Sequence, residues 1–191
     1  MSKSEQRVRA LKSRRSLSHE EIGALSDAVT RRFLELPEFK EAKTVASYVA
    51  KADEVQTSGI VSATLAAGKT LVVPRADPAS GALRFASIGS ISELSRGHFS
   101  VLEPKAGASV VPLGAADVIA VPVVAWDEQG HRLGYGKGYF DRALSADPGP
   151  LRVGLALEAQ RQPALSQSSD DVPLDVVVTE IRVLRFGRRR R

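Results

Sequence analysis

The sequence predicts a single α/β domain of three layers, with a largely parallel sheet and helices ahead of it. Three observations carry this. Short apolar runs rich in β-branched residues alternate with segments of helical spacing. One of the runs, Asp117 to Val124 (DVIAVPVV), is almost continuously apolar, as in a strand covered on both faces. The chain has 191 residues, room for one well-buried core and little more.

The elements follow in order. Lys3 to Arg15 is charged and amphipathic and reads as a first helix, stopping near Ser16. Ser18 with Glu21 three residues on forms a capping box. It opens a second helix with Ile22, Leu25, Val29, Phe33 and Leu36 on one face, closed by Pro37. Thr44 to Ala50 reads as a strand and Ser58 to Ala67 as a helix ended by Gly68. Thr70 to Val73 is a strand stopped by Pro74, and Leu83 to Ile88 a further strand after the Pro78–Gly81 turn. After DVIAVPVV come a glycine-rich turn, a helix of about ten residues, and two more buried strands, Val153 to Leu157 and Val176 to Thr179. Residues 1–187 form this domain, with a Rossmann-like sheet. Residues 188–191 are a basic tail expected to be disordered.

Composition narrows the function. Hydrophobic residues make up 43% and charged residues 26%, which excludes a mostly disordered chain. With no cysteine, thiolate catalysis, disulfides and cysteine-bound metals are excluded. The start has no apolar core of a secretory signal, and no apolar run reaches the length that spans a bilayer. A cytoplasmic protein with no membrane partner is expected. The net charge of +5 points to anionic partners. No nucleic-acid-binding motif is present, so nucleic acid is not the expected one. His19, His98 and His131 are too scattered for a zinc site and are expected at the surface. Trp126 is expected to pack.

In open α/β sheets ligands collect beyond the carboxyl ends of the strands. The most informative stretch, Asp127 to Arg142 (DEQGHRLGYGKGYFDR), follows such an end. Gly134, Gly136 and Gly138 alternate with Tyr135 and Lys137 just before a helix, a pattern that lets backbone N–H groups cradle a phosphate. It is not a P-loop, because Gly138 and not Ser or Thr follows Lys137. It is not a dinucleotide fingerprint either, because Tyr139 stands where the last glycine belongs. Arg132 and Lys137 supply charge, Tyr139 and Phe140 flat rings for stacking, and Asp141 a hard oxygen ligand suited to magnesium. Phe140 is equally suited to anchoring the helix in the core.

At VPVVAWDEQGHRLGYGKGYFDR the sequence resembles the 5-formyltetrahydrofolate cyclo-ligase family, whose pattern has an aromatic-Asp pair followed by Gly-x-Arg-Leu-Gly-x-Gly-x-Gly-Tyr-Tyr-Asp. Lys3 and Arg7, SYVAKADEVQT, VVPRA, LEPKAG, VGLALEAQRQPAL and Asp171-x-x-Leu-Asp175 agree in order, so the likeness runs almost end to end. The resemblance implies a ligase that uses ATP and Mg2+ to close 5-formyltetrahydrofolate, polyglutamylated or not, to 5,10-methenyltetrahydrofolate. It implies ATP on Lys3, Arg7 and the turn Arg132, Leu133, Gly134, Tyr135, Gly136, Lys137, Gly138, Tyr139 and Phe140. Folate is expected on Glu54, Gln56 and Tyr135 to Tyr139, metal on Asp141 and Asp171, and catalysis from Lys137, Arg132 and Tyr139. There are departures: Gln56 stands where the family usually has an acid, Tyr135 where arginine is common, Phe140 for a second tyrosine and Asp170 for a common histidine. A nucleic-acid-binding module using the basic first helix and Arg188 to Arg191, a relative that binds without turnover and a small-molecule kinase remain the competing readings.

Overall fold

The computed structural model describes residues 1–187. The chain opens with helix α1, Lys3–Arg15, and helix α2, His19–Glu35, each begun by a serine capping box, Ser2 with Glu5 and Ser18 with Glu21. Pro37 both ends α2 and begins the short helix α3, Pro37–Glu41, at its first position, where a missing N–H costs nothing. Leu36 before it is pushed out of the helical region, with ψ 132°.

The central sheet has seven strands. They are β1 (Thr44–Ala46), β2 (Thr70–Asp77), β3 (Ala82–Ile88), β6 (Val118–Pro122), β9 (Leu151–Leu155), β10 (Val176–Val178) and β11 (Val183–Arg185). Their order is β11-β10-β9-β6-β1-β2-β3. The five inner strands are parallel, and β3 and β11 close the edges antiparallel. Helix α4, Ser58–Ala66, links β1 to β2, and helix α5, Tyr139–Ala146, precedes β9. Two small hairpins flank the sheet: β4 (Leu94–Arg96) with β5 (Leu102–Pro104), and β7 (Ala125–Trp126) with β8 (Arg132–Leu133).

Alternation along the strands divides the core. Val45, Val118, Ala120, Val153, Leu155, Val176 and Val178 pack under α2, α3 and α4 with Val29, Phe33, Phe39 and Ile60. Ala46, Val72, Ile119, Val121 and Val177 face the other way, against Phe85, Trp126, Leu144 of α5 and Leu174. These are the three layers.

Several boundaries differ from expectation, and two of them have a clear physical reason. The first strand ends at Ala46 and not Ala50, although Ser47 N still donates to Val72 O at 2.9 Å. The second runs through Pro74 to Asp77. Pro74 stands opposite Phe85, whose carbonyl is taken by Val111 N at 2.9 Å, on the far side from β2. In such an antiparallel pair both backbones turn their polar groups away from each other. The absent N–H of Pro74 therefore faces the side where β1 has already ended, and no ladder bond is lost.

Candidate active site

β1 is the strand at which the order reverses: the chain goes from β1 outward to β2, then returns to β6 on the other side. The crevice beyond the carboxyl ends at such a point is the usual place for a ligand. A cavity of about 1000 Å³ opens there, walled by Tyr48 and Val49 after β1, Pro74 and Ala76 on β2, and Pro122 at the end of β6. That volume is at the top of the range for single small-molecule sites.

The glycine-rich turn forms one wall, and its base is rigid. Trp126 is fully buried and donates its indole N–H to Leu157 O at 3.0 Å. Asp127, 1% exposed, accepts from the backbone N–H groups of Gln129, His131 and Leu165, all at 3.0 Å, and meets His131 Nδ1 at 3.0 Å. Gln160 donates to Val123 O at 2.7 Å and Val124 O at 3.0 Å. These bonds hold the β7–β8 hairpin, which delivers Arg132 and Leu133 to the turn. Gly136 (φ 93°) and Gly138 (φ 69°) take left-handed backbone angles that side chains resist, and Gly138 caps α5 with no side-chain bond to the helix N–H groups. Arg7 Nε donates to Gly134 O at 2.7 Å, so α1 is tied to the turn.

Fourteen of the fifteen sequence-predicted site residues line this one cavity: Lys3, Arg7, Glu54, the stretch Arg132 to Asp141, and Asp171. The exception is Gln56. Its amide donates to Lys51 O at 2.8 Å and Glu54 O at 2.7 Å, and its N–H donates to Ser26 Oγ at 2.9 Å. Gln56 braces its own loop and is not among the residues that line the cavity. An amide can donate to two carbonyls where an acid could not. Glu54 does face the cavity, 6% exposed, with Oε2 accepting from Lys51 N at 2.7 Å.

The acids and bases are interlocked. Arg132, 4% exposed, donates to Asp141 Oδ1 at 2.9 Å while its Nε has no hydrogen-bond partner. Burial lowers the Arg132 pKa, against the attraction of Asp141 and Asp171. Lys3 pairs with Asp171. Burial alone would raise the Asp171 pKa, but its bonds from Lys3 and Ser168 outweigh that and hold it below the ordinary carboxylate value. Asp141 and Asp171 are two oxygen donors in one cavity. Among the described residues there is no cluster of three or more metal-ligating side chains. This donor set suits magnesium, which commonly takes one or two carboxylates and completes its shell with phosphate oxygens and water.

Several residues in the wall or directly behind it were not foreseen. Arg14 from α1, 1% exposed at its side chain, donates to Asp53 Oδ2 at 2.8 Å and to the Tyr135 hydroxyl at 2.7 Å. Burial and the nearby Glu54 carboxylate push the Tyr135 phenol well above its ordinary value. Lys51 Nζ lies 4.5 Å from the centre of the Tyr135 ring. His98, expected at the surface, is half exposed but in the wall, its Nδ1 3.4 Å from Glu103 Oε2. Phe99 holds φ 58°, with its ring 5.9 Å from Tyr139 and under Lys137 Nζ at 4.1 Å. Arg142 donates to Gly81 O at 3.0 Å and Lys137 O at 3.0 Å. Asp170 also lines the cavity, and Phe140 lines it while packing against both halves of the core. The tail at 188–191 lies outside the described residues.

Comparisons with known proteins agree on one family. The profile of the 5-formyltetrahydrofolate cyclo-ligase family matches residues 1–180. The 5-formyltetrahydrofolate cyclo-ligase of Escherichia coli K12 is 33% identical over 178 residues, spanning 89% of this chain and 96% of the relative. The probable 5-formyltetrahydrofolate cyclo-ligase of Caenorhabditis elegans is 30% identical, spanning 89% and 88%. A solved structure of 5,10-methenyltetrahydrofolate synthetase from Aquifex aeolicus superposes with TM-score 0.87 at 38% identity, covering 100% of this chain and 96% of that one. The Mycoplasma pneumoniae synthetase shares the fold, with TM-score 0.76 at 22% identity over 94% and 99%.

Proposed function

Since the chain belongs to the 5-formyltetrahydrofolate cyclo-ligase family and is a ligase, we propose that it uses ATP and magnesium to convert 5-formyltetrahydrofolate to 5,10-methenyltetrahydrofolate, releasing ADP and phosphate. The observation that carries this reading is the convergence in one cavity of the glycine-rich turn, its Lys137 and Arg7, two carboxylates and the buried Glu54. A formyl group on nitrogen is a poor electrophile. Phosphorylating its oxygen makes that oxygen a good leaving group for ring closure by the neighbouring folate nitrogen.

Such a transfer needs positioning and neutralised charge more than a protein nucleophile. In this reading Lys3, Arg7 and the turn from Arg132 to Phe140 hold the nucleotide, with Lys137 set against the transferred phosphoryl group. Arg132, fixed by Asp141, keeps its charge deep in the wall, and its unpartnered Nε leaves a donor to spend. Glu54 and the ring of Tyr139 meet the folate. Asp141 and Asp171 would hold the magnesium, which supplies charge neutralisation between the phosphates. With the carboxylates so engaged, Lys3 and Arg132, which now pair with them, would be available to phosphate oxygens. Among the described residues no helix is long and apolar enough to cross a membrane.

The test mixes purified protein with 5-formyltetrahydrofolate, ATP and magnesium and follows methenyl absorbance together with phosphate release. One phosphate per methenyl product, dependent on both ATP and metal, is the expected outcome. Product without ATP, or phosphate without product, refutes the proposal.

A further inference from the structure

Tyr135 places an uncharged ring in the glycine-rich wall of the cavity. The tertiary structure brings cations to that ring from two other elements. Arg14, buried on α1, reaches the Tyr135 hydroxyl at 2.7 Å and keeps its Nε without a partner. Lys51, on the loop after β1, lies over the ring face at 4.5 Å. A cation over an aromatic face is attracted electrostatically, so the ring fixes the ammonium without neutralising it. Asp53 balances Arg14 at 2.8 Å, but among the described residues Lys51 makes no ion pair.

Lys51 is further distinguished by its place. Six lysines and arginines and five acids line the cavity. Lys3 and Arg132 are paired with carboxylates, while among the described residues Lys51, like Arg7, Lys137 and Arg142, makes no ion pair. It sits on the seam between the two halves of the proposed site: its own N–H binds Glu54 at 2.7 Å, on the folate side, and its ammonium rests on Tyr135 of the phosphate turn. A group passing from nucleotide to folate must cross that seam.

We propose that Lys51 is a further catalytic residue, a cation steadied by Tyr135 that neutralises the phosphoryl group in transit. The inference rests on the ATP-dependent reading above. In the step concerned, the formyl oxygen forms a bond to the γ-phosphorus while the bond from that phosphorus to the ADP oxygen breaks, and ADP leaves with the electron pair. Charge spreads over the three equatorial oxygens as this happens, and a lysine there is worth most in the transition state.

The experiment is a double-mutant cycle between Lys51→Met and Tyr135→Arg, read as kcat and KM for ATP and for mono- and triglutamyl 5-formyltetrahydrofolate, with thermal midpoints for each variant. Lys51→Met in the natural background is expected to lower kcat about 10- to 100-fold with both KM values within about threefold, the mark of a contact made in the transition state. Lys51→Arg should restore kcat to within about fivefold. In the Tyr135→Arg background, where an arginine supplies the charge, Lys51→Met should cost less than about threefold. Equal losses in both backgrounds, or activity of Lys51→Met within about twofold of the natural chain at an unchanged midpoint, would overturn the proposal. So would a rise in folate KM that grows with glutamate chain length at constant kcat, since Lys51 would then hold a carboxylate. If the natural chain itself forms no methenyl product with ATP, the broader reading fails and this one with it, which is a different outcome from an active enzyme indifferent to residue 51.

Discussion

Asp53→Asn tests whether the ion pair behind Tyr135 does what its geometry says. Arg14 is all but sealed from solvent, and its charge is answered by Asp53 at 2.8 Å, the Tyr135 hydroxyl at 2.7 Å and a long contact from Nη1 to Val123 O at 3.5 Å. Burial opposes the Arg14 charge, yet Tyr135 and Asp53 together hold its pKa above the ordinary arginine value. Removing one partner of a fully buried pair costs about 3–5 kcal/mol. Two features reduce that here. Asp53 is 32% exposed, so water screens it. Asparagine also still offers an oxygen, so a charged hydrogen bond becomes a neutral acceptor and is not lost; the difference is about 1–2 kcal/mol. The expected loss is therefore about 1–2 kcal/mol, a fall in thermal midpoint of about 2–8 °C for a chain of this size. Chemical denaturation with an unchanged slope is the check on the free energy.

The pH dependence gives a second readout of the same pair. Burial tends to raise the Asp53 pKa, but Arg14 more than offsets it and the folded value lies below the ordinary one. A carboxyl depressed in the folded state stabilises above its unfolded pKa, near 4, and that stability is lost as pH falls through the lower folded pKa. The natural chain should thus lose this contribution below about pH 4, and the asparagine variant should lack that part of the slope. A variant as stable as the natural chain at pH 7, with the same acid limb, would refute the reasoning.

Three further outcomes are expected. Lys137→Ala should reduce turnover by about 2–4 kcal/mol, or about 30- to 1000-fold, with the fold intact by circular dichroism; activity within a few-fold of the natural chain removes Lys137 from its role. Gly136→Ala forces a side chain into φ 93°, with its Cβ 3.4 Å from the Arg7 guanidinium carbon. About 1–2 kcal/mol of stability and a several-fold weaker ATP affinity by calorimetry should be lost together. Phe33→Ala, fully buried between α2 and the sheet with its ring centre 5.4 Å from that of Phe39, should cost about 3–5 kcal/mol in denaturant unfolding and leave the KM values unchanged.

Local physics was legible along the chain. The capping serines Ser2 and Ser18 act on groups three residues away, so α1 and α2 begin where a sequence reader would begin them, although only Ser18 carries an obvious apolar face behind it. Continuous apolar runs announced β6 and β10 because a strand buried on both faces has no polar side to show. The glycine-rich turn was readable because its requirements, left-handed backbone at Gly136 and Gly138 and cations beside them, are met within nine residues. β11 was missed because its burial is partial and its register depends on β10. The passage of β2 through Pro74 depends on where β1 stops, which no property of Pro74 encodes.

Sequence alone therefore determined the layered α/β class, the helix starts and the place of the glycine-rich turn, since each rests on interactions between neighbours in the chain. Only the tertiary structure decided that Gln56 turns away from the cavity, that His98 and Phe99 belong to its wall, and that Arg14 and Lys51 converge on Tyr135. Those arrangements join residues 38 to 121 positions apart, or depend on which of several carbonyls lies closest. Packing of whole elements sets such distances, and it leaves no period or spacing in the sequence to be read.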